Sequence, residues 1–164
     1  MKLRQGLLLL SLLTATATAD EIPLTVQVKR LSLDTALSMA RAGLQACREE
    51  AVQVAITVVD RAGQVQVVLR DVLAPDITLE ISRQKAYTAL AFASPTSALE
   101  QRFTQPFSVG KIEGLVFTAG GVPIAAGGSL LGGVGVSGAP SGELDERCAR
   151  AAVEAVIDEL EMAE

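Results

Sequence analysis

The sequence predicts an α+β domain, an antiparallel sheet with helices packed on it, in the order α-β-β-α-α-β-β-β-α. Two observations carry this reading. Pairs of β-branched runs are separated by glycine turns, which makes two hairpins, and no βαβ unit repeats along the chain. Between and after the hairpins, apolar residues recur at helical spacing.

The elements follow in order. After a short extended lead, Leu24–Val28, Ser32 is placed to cap a helix running to about Glu49. Leu33, Leu37, Ala40, Leu44 and Cys47 define its expected buried face. Gln53–Asp60 and Gln64–Asp71 then read as two strands joined by Arg61-Ala62-Gly63, with glycine supplying a positive φ. In the second strand Val65, Val67 and Leu69 alternate with Gln64, Gln66 and Val68, so one face is expected inside and the other mostly wet. Pro75-Asp76 breaks the pattern, and Asp76 or Thr78 can cap a helix to about Ala93. Ser94-Pro95-Thr96 restarts a shorter helix to about Phe103. Leu115–Thr118, Val122–Ala126 and Leu130–Ser137 read as short strands, the last two turned by Gly127-Gly128. Ser141 or Gly142 opens a final helix whose early Glu143, Asp145 and Glu146 suit a helix N-terminus.

The chain begins with a basic Lys2 and Arg4, an apolar Gly6–Leu13 too short to span a bilayer, and Ala17-Thr18-Ala19. This is the pattern of a secretory signal peptide over residues 1–19, cleaved before Asp20. Residues 20–164 are then expected as one exported domain, periplasmic or secreted, with no membrane anchor after cleavage. The mature chain would hold 12 basic and 19 acidic residues, a net charge of −7 that repels nucleic acid. Cys47 and Cys148 sit in the first and last predicted helices. In an oxidising compartment they either form a bridge or stay as two buried thiols.

Gly133-x-Gly135-x-x-Gly138 matches the letter pattern of a dinucleotide-binding loop. The context does not match, because Val134 and Val136 place the glycines inside a strand and no second parallel strand follows. Glycines there mark the close approach of another backbone or a ligand. No histidine occurs anywhere, which removes the usual general base, the Ser-His-Asp and Cys-His systems, and the commonest metal ligand. Asp71 and Asp76 could meet across a loop as a carboxylate pair, but such residues more often serve as turn formers and caps. No catalytic set emerges. Lys85 lies on the largely apolar stripe Ile81–Lys85–Thr88–Phe92, where it either snorkels to the surface or points into a pocket to meet an anion or carbonyl. Tyr87, Phe92, Phe103, Phe107 and Phe117 are the five aromatics, and they either fill one end of the core or line a pocket or interface.

Three blocks together resemble the GlcG/HbpS family, whose fold also appears as the C-terminal domain of PduO-type proteins. They are AITVVDRAGQVQVVLRD (55–71), ISRQKAYTALAFASPTSAL (81–99), and GGVPI (120–124) continuing to GGVGVSGAPSGELDERCARA (132–151). The resemblance implies a five-stranded antiparallel sheet flanked by helices, a homo-oligomer, and haem binding. It points to Lys85, Thr88, Phe92, Gly120, Gly121 and Pro123 as cofactor-binding positions. Without histidine, the iron ligands that remain include Tyr87 and Met39, with Met162, the cysteines and a neutral Lys85 also of a suitable type, and Arg83, Lys85 or Arg102 for the propionates. The expected function is therefore an exported haem- or tetrapyrrole-binding protein with a binding, sensing or accessory role. The alternatives are a binding protein or enzyme for a small, glycolate-type organic acid held by Lys85, and a structural oligomeric accessory subunit.

Overall fold

The structure is a computed structural model that describes residues 22–105 and 108–163. The expected signal peptide and Phe107 lie outside the described residues. The elements are α1 (Leu33–Glu49), β1 (Ala55–Asp60), β2 (Val65–Arg70), α2 (Ile77–Phe92), β3 (Gly121–Ala126), β4 (Ser129–Ser137), α3 (Gly142–Glu154) and a short α4 (Ile157–Met162). Two 3-10 turns, Thr96–Leu99 and Val109–Lys111, lie between α2 and β3. No described helix is long and apolar enough to cross a membrane.

The sheet is antiparallel throughout, as expected, but among the described residues it has four strands, in the order β2-β1-β4-β3, not five. The expected strand over Leu115–Thr118 does not form. Its amides go elsewhere than to a ladder: Leu115 N–H donates to the Ile112 carbonyl, Val116 N–H to Thr88 Oγ1 and, just past the segment, Ala119 N–H to Glu100 Oε1. Gly114, at φ 89°, turns the chain just before it. A β-branched pair with no neighbouring strand cannot make a strand. The shorter helix expected over 94–103 is likewise reduced to the 3-10 turn Thr96–Leu99.

Both hairpin turns are where the glycines put them. Asp60 Oδ1 accepts from the Ala62 and Gln64 N–H groups while Gly63 takes φ 77°. Gly127 and Gly128 both have positive φ, as a two-residue hairpin loop requires.

The sheet is covered on both faces. Ile56 and Val58 of β1, with Val134 and Val136 of β4, face α1 and α3 and join Met39, Ala40, Leu44 and Ala149 in the main core. Thr57 and Val59 point the other way, toward Ser82, Ala86 and Leu90 of α2. This is why every β1 residue is buried. Ser32 caps α1 by accepting from Thr35 N–H, and Ser141 caps α3 by accepting from Leu144 N–H. Of the expected buried stripe of α1, Ala40, Leu44 and Cys47 are buried and Leu37 is partly so, but Leu33 is 61% exposed, and Ala36, Met39 and Gly43 join the inner face. Leu33 is the first residue of the helix, and Met39 and Gly43 meet the sheet and α3.

Cys47 of α1 and Cys148 of α3 form a disulfide, with Cα atoms 5.5 Å apart. Gly43 allows this approach, because a Cβ there would meet Ala152 and the Cys148 carbonyl at 2.9 Å.

Candidate functional site

The GGVGVSG segment explains how α2 is held. A Cβ on Gly133 would collide with the Ala86 carbonyl oxygen, and one on Gly135 with that of Ser82. The bare backbone of β4 thus lets α2 lie directly on the sheet. The close approach expected of these glycines is made by a helix backbone, and the segment is a strand.

Seated this way, α2 sends Lys85 inward. Its side chain is 4% exposed and Nζ lies 2.8 Å from Asp145 Oδ2, on α3. Of the two expected courses for Lys85, the inward one is taken, and the anion it meets belongs to the protein. Gly120, at φ 129°, passes over this contact, and a Cβ there would stand 2.6 Å from Lys85 Nζ. Burial pushes the Asp145 carboxyl above its ordinary value, against the pull of the Lys85 ammonium and of N–H donation from Ala139 and Gly138. Next to it, Glu146 accepts from Ser97 N–H and Oγ–H, from Gly120 N–H and from Arg150. Burial opposes its ionisation, but these donors outweigh burial and hold it below the usual carboxylate range. Thr96 Oγ1 accepts from Gly121 N–H. A buried polar knot therefore ties α2, α3 and the Gly120–Gly121 crossing together.

The expected cofactor-binding residues divide accordingly. Lys85, Thr88, Gly120 and Gly121 are buried and satisfied within the knot or by Val116. Pro123 is half-buried on the edge strand β3. Phe92 packs on Phe103 and Phe117 with ring centroids 5.0–5.4 Å apart, a three-ring cluster capping the end of α2. Met39 is fully buried in the core.

Tyr87 is different. It is 39% exposed on the outer side of α2, and its ring lies over the β1–β2 turn, where a Cβ on Gly63 would stand 2.7 Å from it. It lines a groove of about 270 Å³ with Leu90, Ala91, Leu130, Gly63 and Arg61. A second groove of about 620 Å³, between the extended Val26–Lys29 segment and the β3–β4 turn, shares Arg61 and Leu130 with the first. Arg61 donates to the Leu130 carbonyl at 2.6 Å, which holds its guanidinium at the junction of the two. The sequence singled out Tyr87 by residue type, but nothing local announced the groove, since Leu130 and Arg61 are brought together by strand pairing.

These residues fit a tetrapyrrole. Tyrosine is a known haem ligand type, a guanidinium suits a propionate, and Leu90, Ala91 and Leu130 offer an apolar wall. The cysteines are consumed in the disulfide and Met39 is enclosed, so neither offers a free sulfur to the Tyr87 groove. Among the described residues no cluster of His, Cys, Asp and Glu could hold a metal ion by itself.

Comparison with known proteins agrees with the fold. The model of the family described as haem degrading protein HbpS-like matches residues 31–154. A double mutant of HbpS from Streptomyces reticuli is 37% identical over 87% of this chain and 98% of its own, with a TM-score of 0.78. Protein ORFY of Klebsiella pneumoniae is 26% identical over 83% of this chain and 97% of its own, with a TM-score of 0.77. The structure of a PduOC–heme complex is 28% identical over 77% of this chain and 95% of its own, with a TM-score of 0.70. No curated protein sequence matches. With the family model spanning most of the chain and an HbpS structure similar over nearly its whole length, this protein belongs to the HbpS-like family.

Proposed function

We propose that the protein is an exported haem- or tetrapyrrole-binding protein that works as a homo-oligomer in a binding or sensing role. The observation that carries this reading is Tyr87, an iron-ligand side chain half-exposed at an apolar groove with Arg61 at its rim. The HbpS-like family and the heme complex of its relative PduOC support it. Bound haem would supply redox and ligand-exchange chemistry at its iron. Tyr87 would hold the iron through its phenolic oxygen, Arg61 would pair with a propionate, and Leu90, Ala91 and Leu130 would shield the bound ring from water. Lys85, Thr88, Gly120 and Gly121 enter as the frame that fixes α2 beneath Tyr87, with Phe92 and Pro123 at its margins. The groove is open on its outer side, so a second copy is the natural cover for the other face.

Titration of the purified chain with haemin tests this. A saturable Soret change at micromolar protein is expected, and Tyr87→Phe should shift that band and weaken binding at least tenfold. The absence of a saturable change, or an unaltered spectrum in Tyr87→Phe, would overturn it. Light scattering checks the oligomer, which a stable monomer with bound haem would exclude. N-terminal sequencing of exported protein should begin at Asp20.

A further inference from the structure

The far end of the β1–β2 hairpin from Tyr87 carries a third cleft, of about 470 Å³, lined by residues that include Arg48, Val52, Gln53, Arg70, Asp71 and Val72. Asp71 follows β2, and its side chain is 6% exposed. Arg48 donates to one of its oxygens, Oδ1, from Nε at 3.0 Å and from a terminal nitrogen at 2.5 Å. The other oxygen, Oδ2, is buried and has no hydrogen-bond partner. A buried carboxylate oxygen left without a donor is costly, and native proteins rarely leave one so unless a water, ion or ligand completes it.

The donors at the cleft are in excess on the other side. Arg48 is half-exposed and keeps N–H groups beyond those spent on Asp71. Arg70 is exposed and donates from one terminal nitrogen to the Ala74 carbonyl, leaving the remainder of its guanidinium at the cleft. Two guanidiniums against one carboxylate leave the cleft with one net positive charge. It thus asks for an anionic group and, beside it, a donor.

We propose that this cleft binds a small carboxylate carrying an O–H or N–H donor on the adjacent carbon, the chemistry shared by 2-hydroxy acids and 2-amino acids. The carboxylate lies against the Arg48 and Arg70 guanidiniums and the donor completes Asp71 Oδ2. Oδ2 is closed to solvent before binding, so the side chains around it must give way for the ligand's donor to reach it. The site is separate from Tyr87 and does not depend on haem.

Calorimetric titration of the full, haem-free chain with lactate, alanine and propionate reads the proposal directly. Lactate or alanine should bind saturably, and propionate, which lacks the donor, at least about tenfold more weakly. The +1 charge of the cleft favours lactate over the neutral zwitterion alanine. Arg70→Gln should reduce lactate binding about tenfold or more with thermal unfolding little changed, since Arg70 is exposed. Asp71→Asn should bring lactate and propionate closer together. Should Asp71→Asn fail to fold, Arg70→Gln and the propionate comparison still decide. Equal binding of propionate and lactate, wild-type affinity in Arg70→Gln, or no saturable binding of any of the three acids overturns it.

Discussion

Lys85 and Asp145, 60 residues apart in sequence, meet inside the protein with Nζ 2.8 Å from Oδ2 and no more than 5% of either side chain exposed. Such a pair is costly to desolvate, so its value lies in each charge having the other. Lys85→Ala should therefore destabilise the fold by about 3–5 kcal/mol, by leaving Asp145 buried and unpaired. The double replacement Lys85→Met with Asp145→Leu should recover much of that loss. Urea denaturation of the three proteins checks this, and a loss below about 1 kcal/mol in Lys85→Ala would show that the pair does not hold α2 to α3.

Glu146 and Asp145 respond to pH in opposite senses. The Glu146 carboxyl titrates lower in the fold than its ordinary value of 4.5, so its contribution is fully present above that value and is lost as pH falls through the folded one. Asp145 titrates higher in the fold than its ordinary 3.8, so its contribution declines as pH rises from there through the raised value. Glu146→Gln should flatten the acid limb of a stability–pH curve below about pH 4.5. Thermal melts in buffers from acid to neutral pH measure it, and an acid limb as steep as the wild type's would refute the assignment.

The glycines of β4 should prove intolerant. Gly135→Ala places a methyl against the Ser82 carbonyl and the Ala86 backbone, neither of which can rotate away. A loss of about 1–3 kcal/mol or more is expected from the forced shift of α2. Gly128→Ala is the control: it has φ 73° but open space, and should cost only about 1–2 kcal/mol for the left-handed backbone. Comparing the two midpoints in denaturant separates crowding from backbone strain.

The Cys47–Cys148 bridge closes a loop of 101 residues. Chain-entropy reasoning for a loop of this length gives about 4.7 kcal/mol of stabilisation. Denaturation with and without reductant should show a matching fall in midpoint, and the Cys47→Ser, Cys148→Ser double variant should behave like the reduced protein.

Local chemistry made much of the fold legible. Ser32 and Ser141 announce their helices because a cap is a contact three residues long, and Gly63 and Gly127-Gly128 announce their turns for the same reason. The errors fall where a distant partner decides. Leu115–Thr118 has strand-like composition, but its Val116 amide is taken by Thr88, 28 residues away, and the Ala119 amide just past it by Glu100, 19 residues away. Lys85 stands on an apolar stripe that says it is near the core, yet nothing near it in sequence says that Asp145 waits there. Tyr87 could be singled out by type, whereas Arg61 and Leu130 join it only once β1, β2 and β4 have paired. Asp71 looked like a turn former, and its ion pair with Arg48 depends on where α1 ends against β2.

The bridge between the first and last long helices has a topological effect as well. Every strand, α2 and the Tyr87 groove lie between Cys47 and Cys148. A protease that cuts one peptide bond anywhere in residues 48–147 opens the backbone but releases nothing, because the two pieces stay joined through sulfur. The exposed stretch around Gln101–Gln105 is the natural place for such a cut. The nicked protein would run as one band without reductant and as two with it, while keeping both ends of the sheet within reach of each other.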